Sequence, residues 1–152
     1  MAEELTYKDE AAAGYDRAAA RLTTHFAPFL LRAAHVAPGM RVLDIATGTG
    51  LAAEAALRLV GTTGHVTAAD ISPAMVAKAR QRLGNAPNVS YAVEDGQALS
   101  FSDESFDAVM CGLSLMLFPD PSRGLAEFRR VLRSGGRAAV SVTTVPERSY
   151  NS

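Results

Sequence analysis

From residue 41 onward the chain alternates short apolar runs with longer stretches of helical spacing. RVLDIA (41–46) has the length and flanks of a buried strand. LAAEAALRLV (51–60) follows with apolar residues at helical intervals and stops at Gly61. HVTAAD (65–70) predicts a second strand. Ser72-Pro73 then supplies an N-cap and a proline at the first helical position, opening a helix that runs to a stop near Gly84. VSYAV (89–93) and FDAVMCG (106–112) predict a third and a fourth strand. Asp120-Pro121 opens another helix by the same cap-plus-proline logic; it continues through LAEFRRVL and halts at Ser134-Gly135-Gly136, before a fifth strand, RAAVSVTTV (137–145). Upstream, residues 8–20 are Ala-rich and suit a helix. A second helical pattern, HFAPFLLRAAHV, contains Pro28, which predicts its first turn or a kink, and Pro38-Gly39 marks a turn. Strands alternating with helices imply an α/β protein with a parallel sheet and right-handed crossovers. The crossover over residues 94–105 is barely long enough for a parallel connection.

Composition narrows the function classes. A domain of 152 residues buries roughly 70% of its unfolded surface, enough for one core. Fifteen basic and 16 acidic side chains give a formal charge of -1 with no basic run, so nothing supports a nucleic-acid partner. The longest strongly apolar stretch, Val109 to Phe118, is too short to span a bilayer, and the acidic start MAEELTYKDE lacks a signal peptide's apolar core. Cys111 is the single cysteine, which excludes an internal disulfide and a Cys-clustered zinc site. These features predict a cytoplasmic protein without a membrane partner.

The chemistry concentrates where predicted strands end. Asp44-Ile45-Ala46-Thr47-Gly48-Thr49-Gly50 closes the first strand and enters a helix. Glycines there allow close approach of the backbone to a ligand, and the following helix offers unpaired N–H groups. Gly48-x-Gly50-x-x-Ala53 also fits a dinucleotide fingerprint, with Asp70 placed 20 residues after Gly50 as a ribose-binding acid would be. Asp44 argues otherwise. An anion just before the turn repels a pyrophosphate and suits a ligand with a cationic amino-acid end and no phosphate, as S-adenosylmethionine is. The plain alternative is that Asp44 caps the loop or the helix.

VLDIATGTG resembles the cofactor loop of class I S-adenosylmethionine-dependent methyltransferases, and is similar to their ubiquinone/menaquinone-biosynthesis branch, methyltransferase type 11. The resemblance runs in register over about residues 10–145. It implies a Rossmann-like core with S-adenosyl-L-methionine as cofactor. By this resemblance Asp44, Ala46, Thr47, Gly48 and Gly50 form the cofactor loop, and Asp70 bonds the ribose hydroxyls. Ile71 and Met75 flank the adenine, and Asp95-Gly96 meets its amino group and a ring nitrogen. SFDAVMCG resembles the family's fourth strand and FRRVLRSGGR its last helix and turn. Ala46 stands where the family most often has a glycine. LSLMLF (113–118) lacks the polar residues that many relatives carry near the methyl group, so no catalytic residue is named.

The resemblance also implies a domain plan: a helical cap over residues 1–38, a cofactor-binding core over 39–146, and the start of a missing C-terminal part at 147–152. Similar enzymes carry further strands after the fifth, so the chain is expected to be truncated. Its fifth strand would then be an unpaired edge open to self-association. The expected reaction is methyl transfer to a small-molecule acceptor at O, C or N, by in-line displacement, with alignment supplying most of the catalysis. Two rivals remain: a non-catalytic S-adenosylmethionine-binding module and, more distantly, an NAD-dependent oxidoreductase. His25, His35 and His65 lack metal-ligand spacing, and no metal site is expected. Tyr15 and His25 lie in the N-terminal helices that cover the cofactor in similar enzymes. Cys111, Met110, Met116 and Phe118 read as core or pocket wall.

Overall fold

The computed structural model describes residues 17–143. The elements follow one another as α1 (Ala18–Ala33), β1 (Arg41–Ile45), α2 (Leu51–Val60), β2 (His65–Asp70), α3 (Pro73–Leu83), β3 (Val89–Val93), β4 (Phe106–Gly112), a 3-10 turn (Leu115–Leu117), α4 (Pro121–Val131) and β5 (Leu132–Ser141). The strands form one sheet in the order β3-β2-β1-β4-β5, every neighbouring pair parallel. This is the Rossmann-like α/β architecture expected from the alternation.

β1 lies at the centre and is buried from Val42 to Ile45, as a strand covered on both faces must be. Its side chains alternate between two cores. Val42 joins Ala27, Leu30 and Leu31 of α1 and Ala53, Ala56 and Val60 of α2 on one face, while Leu43 and Ile45 join Val109, Phe128 and Val131 on the other. The caps read from sequence are present: Ser72 Oγ accepts from the Met75 N–H, and Asp120 Oδ1 from the Arg123 N–H.

Two elements differ from expectation. Among the described residues, α1 is a single helix running through Pro28, which sits well inside it instead of in a first turn. Burial of Ala27, Leu30 and Leu31 against the sheet and α2 offsets the missing N–H. β5 begins at Leu132, directly after α4, and Ser134-Gly135-Gly136 is a bulge in the strand: its partner register jumps from Phe106↔Leu132 to Ala108↔Arg137. The expected end of this strand at 144–145 lies outside the described residues, as do Tyr15 and residues 147–152.

The connection 94–105 contains no helix. It crosses the sheet as a loop whose Leu99 and Phe101 pack on the second core. Arg130 of α4 satisfies it, donating to the Leu99 and Phe101 carbonyls at 3.0 and 2.8 Å and pairing with Asp103 at 2.7 Å. Among the described residues no helix is long and apolar enough to cross a membrane.

Pro28→Ala is expected to raise stability. The change restores a helical donor and removes a ring clash worth about 3 kcal/mol in a helix interior, against about 1 kcal/mol of added unfolded-chain entropy. A net gain of about 2 kcal/mol corresponds to a thermal midpoint roughly 4–8 °C higher for a domain near this size, measured by calorimetry. A lower midpoint would show that the helix is shaped around the ring.

Candidate functional site

A parallel sheet sends the C-terminal ends of its strands to one edge, and three acids of this chain arrive there together. Asp44 is the fourth residue of β1, Asp70 the last of β2, and Asp95 follows β3 by two residues. Register holds them side by side, with Asp44 opposite Ala68 and Asp70 opposite Val93.

The loop after β1 bends sharply. Ala46, Gly48 and Gly50 take φ of 56°, 57° and 89°, all in the left-handed region. Ala46 carries a Cβ there at a cost of about 1–2 kcal/mol. Gly50 begins α2, and a Cβ added to it would sit 3.2 Å from the Ala79 Cβ. Above Gly48 the space is open.

The loop spends its own donors. Thr47 N–H bonds the Ala69 carbonyl at 2.9 Å, Gly50 N–H the Thr47 carbonyl at 3.0 Å, and Gly48 N–H donates to Asp70 Oδ2 at 2.9 Å. Asp70 Oδ1 accepts from the Ser72 N–H at 3.0 Å. Thr47 Oγ1 donates to Asp44 Oδ2 at 2.7 Å.

Burial raises the pKa of Asp70, against the pull of the Ser72, Gly48 and Ile71 N–H groups. Asp44 is more extreme. Only 2% exposed, it is pushed up to about 7, chiefly by desolvation and further by the Asp70 charge, although the Thr47 hydroxyl and the Ala53 N–H favour its ionised form.

Two cavities meet over this loop. The smaller, about 260 Å³, is lined by Ala46, Gly48, Asp70, Ile71, Met75, Asp95 and Gly96 among the residues singled out from sequence. The larger, about 500 Å³, takes in Asp44, Ala46, Thr47 and Gly48 with Leu22, Leu51, Leu113 and Met116. They share Ala46, Gly48, Ser114 and Leu117, so they form one elongated cleft. Gly50 lines neither, being turned toward α3.

Sequence reasoning missed Glu94, Gln97, Ser114, Leu117 and Pro119, which with Ile45 of the loop motif complete the smaller cavity. Their types carry no motif, and only the folding of 94–97 and 113–119 over the sheet edge brings them in. Phe118, read as core or pocket wall, is a wall. Leu113, at the end of β4, adopts φ of 54°, a second strained non-glycine at the cleft.

The remaining candidates lie elsewhere. His25 lines neither cavity and stacks with Phe26 and Phe29 on α1. His65 shares a 2.7 Å hydrogen bond with Ser90. Cys111 is buried and its thiol is pushed up to about 12 by burial, so it is an inert core residue. No group of His, Cys, Asp and Glu among the described residues is arranged to hold a metal ion.

Comparison with known proteins matches this geometry to a family. The methyltransferase domain model covers residues 43–140. The ubiquinone/menaquinone biosynthesis C-methyltransferase UbiE of Teredinibacter turnerae is 40% identical over 124 residues, which cover 80% of this chain and 50% of that protein. The demethylmenaquinone methyltransferase of Clavibacter sepedonicus is 35% identical over 142 residues, covering 91% and 57%. Among solved structures, a methyltransferase complexed with the Haloferax volcanii Trm112 methyltransferase activator superposes with a TM-score of 0.75 at 32% identity, over 88% of this chain and 57% of that one. The chain spans about half the length of the curated relatives it matches. A model that takes in strands β1 to β4 and the loop and acids at their ends decides between the ligand classes that the glycine spacing left open, and the chain belongs to the class I methyltransferase domain family, whose methyl donor is S-adenosylmethionine.

Proposed function

We propose that the chain binds S-adenosylmethionine along this cleft, nucleoside in the smaller cavity and amino-acid end toward Asp44, and that the protein transfers its methyl group to a small apolar acceptor. The observation that carries the reading is the fate of the loop's N–H groups. Those of Thr47, Gly48 and Gly50 are spent on Ala69, Asp70 and Thr47, and a pyrophosphate would find a buried carboxylate below it in place of those donors. A ligand with a cationic end reverses that argument, because Asp44 then gains a counter-charge. Asp70, with each oxygen holding one backbone N–H, keeps acceptor capacity for two ribose hydroxyls.

The cofactor supplies a methyl group already activated on a sulfonium. The chain's task is then to align and dehydrate, effects that can lower a barrier by about 7–11 kcal/mol. Leu22, Leu51, Leu113, Met116 and Leu117 give the larger cavity an apolar wall that excludes water and suits an apolar acceptor. Neither histidine nor lysine lines it among the described residues. This favours an acceptor that needs no strong base, an electron-rich carbon among them, in line with the C-methyltransferase relatives. Residues 39–146 are the proposed cofactor-binding unit and residues 1–38 its cap.

Titration with S-adenosylmethionine, S-adenosylhomocysteine and NAD in parallel should give micromolar-range binding of the two sulfur nucleosides and none of NAD. Asp70→Ala should weaken S-adenosylhomocysteine roughly 10- to 100-fold, the loss of one or two hydrogen bonds to a charged acceptor. An unchanged dissociation constant would place the ribose elsewhere.

Asp44 yields a test by pH. A carboxylate raised from 3.8 to about 7 in the folded protein binds its proton more tightly there than in the unfolded chain. Its ionisation therefore costs stability progressively as pH rises from about 4 to about 7, and by a constant amount above that. Asp44→Asn escapes that cost. The melting temperature of the variant minus that of the ligand-free parent should grow between pH 5 and pH 8, reflecting a penalty on the order of a few kcal/mol. S-adenosylmethionine affinity of the parent should rise over the same interval, and that of the variant should stay low. A pH-independent difference in melting temperature would show that Asp44 is already ionised at pH 5.

A further inference from the structure

The two cavities of the cleft meet at four residues, Ala46, Gly48, Ser114 and Leu117. A ligand laid with its nucleoside in the smaller cavity and its amino-acid end in the larger has the atom that joins its two halves at this shared wall. In S-adenosylmethionine that atom is the sulfonium sulfur. Of the four residues only Ser114 carries a polar side-chain atom, and the Gly48 N–H is committed to Asp70. Ser114 is also the one hydroxyl in LSLMLF (113–118). Its side chain therefore stands where the ligand's positive charge passes from one cavity to the other.

The backbone holds Ser114 from both sides. β4 ends at Gly112, and Leu113 turns the chain with φ of 54°. The Leu113 N–H donates to the Ser141 carbonyl at 2.8 Å and to the Ser141 hydroxyl at 3.1 Å, so β5 clamps the turn. Beyond it the Ser114 carbonyl accepts from the Leu117 N–H at 2.9 Å, and Leu115 is buried in the second core. Rotation about its own Cα–Cβ bond is the main freedom left to the side chain.

The bonding of the hydroxyl decides what it can offer. Ser114 sits at the cap position of the 3-10 turn, where a serine oxygen ordinarily accepts an N–H of the turn, and it makes no such bond. Instead its Oγ lies 3.1 Å from the Gly112 carbonyl oxygen. A carbonyl only accepts, so the hydroxyl proton points back at Gly112 and the oxygen keeps its lone pairs. Toward the cleft such a group is an acceptor with the negative end of its dipole outward. That polarity suits a cation and offers nothing to a neutral thioether.

We propose that Ser114 is a specificity-determining residue that makes the cleft hold the charged methyl donor more tightly than the spent, neutral product. When the methyl group leaves, the electrons of the S–C bond stay on sulfur. The positive charge is then gone, and with it the attraction to Ser114 Oγ. Asp44 does not make this distinction by contact, because it faces the amino-acid end that donor and product share. The inference rests on the two-ended placement of S-adenosylmethionine given above.

The test uses sinefungin, in which a carbon bearing an amino group replaces the methylated sulfur, against S-adenosylhomocysteine, which has neither charge nor donor at that atom. Each is titrated calorimetrically into the 152-residue chain at pH 7.5, with melting temperatures measured alongside. The readout is the ratio of the two dissociation constants, since the ligands share both ends and differ only between them. Ser114→Ala removes the acceptor and should cut sinefungin's advantage about 10-fold, the worth of one hydrogen bond to a charged group, with S-adenosylhomocysteine affinity kept. Ser114→Cys is close in size and its sulfur accepts weakly; it should do the same, and serves if the first variant does not fold. S-adenosylmethionine should weaken in the same direction by about 2- to 5-fold, because its methyl C–H groups are poorer donors than an ammonium. A folded Ser114→Ala or Ser114→Cys chain that keeps the parental ratio overturns the proposal, whatever its absolute affinities, because a merely structural role weakens both ligands together. A folded parent that binds neither compound overturns the two-ended reading of the cleft itself, a result distinct from binding whose ratio ignores Ser114.

Discussion

The hydrogen bond from the Gly48 N–H to the Asp70 carboxylate, 2.9 Å long, ties together parts of the chain that have no covalent reason to meet. It joins the turn after β1 to the end of β2, and the second oxygen of the same carboxylate holds the Ser72 N–H where α3 begins. Charge-assisted bonds of this kind are about twice as strong as neutral ones, and here they compensate an ionised group that is nearly buried. One side chain thereby sets the height of the glycine loop, the start of a helix and the direction of its own remaining lone pairs. A loop fixed in this way has its Gly48 N–H already committed to Asp70.

The cleft is also where the molecule departs from relaxed structure. Ala46 and Leu113 hold positive φ without being glycine, and Asp44 keeps a carboxyl group in the core with its pKa pushed up to about 7. Each feature is destabilising on its own. They persist because the sheet around them is over-determined: β1 is flanked by β2 and β4 in continuous register, and both of its faces are covered. His35 and Glu104 also hold positive φ, away from the cleft, but at Ala46 and Leu113 the strain sits beside the cavities, where it can pre-organise a ligand site. For Asp44 the cost has a direction, because a cation beside it would convert an unfavourable ionisation into an attractive pair.

Covering the second face of the sheet took an unusual route. Residues 94–105 cross it without forming a helix, and part-buried carbonyls on that path are met by the Arg130 guanidinium, whose partners include Glu127 and Asp103. This arrangement leaves 95–97 beside the cleft and α4 beneath it, so the fold's solution to a backbone satisfaction problem also shapes the ligand rim. Phe118 links the two by packing on glycines of both segments.

The architecture was legible because local rules and global fold agree. The apolar runs beginning at Arg41, His65, Val89 and Phe106 became strands, the cap-plus-proline pairs at Ser72 and Asp120 opened helices, and glycine with three strand-end acids marked the cleft. Other features had no local signature. Pro28 reads as the first turn or a kink of a helix until the chain is seen to run helically through it from Ala18, and Ser134-Gly135-Gly136 reads as a turn unless β4 is there to pair across the bulge. Gln97 and Ser114 are ordinary residues in the sequence, and become part of the cleft only because the chain folds over the sheet edge. The sequence by itself determined most of the elements, the parallel sense of the sheet and the anionic character of the site, since those depend on periodicity, caps and residue type within a few positions. Tertiary structure alone decided which donors were spent, how far Asp44 is desolvated and which side chains wall the cavity. Those properties belong to contacts between residues distant in the chain, such as Gly48 with Asp70 and Gln97 with Asp120, and no local pattern encodes them.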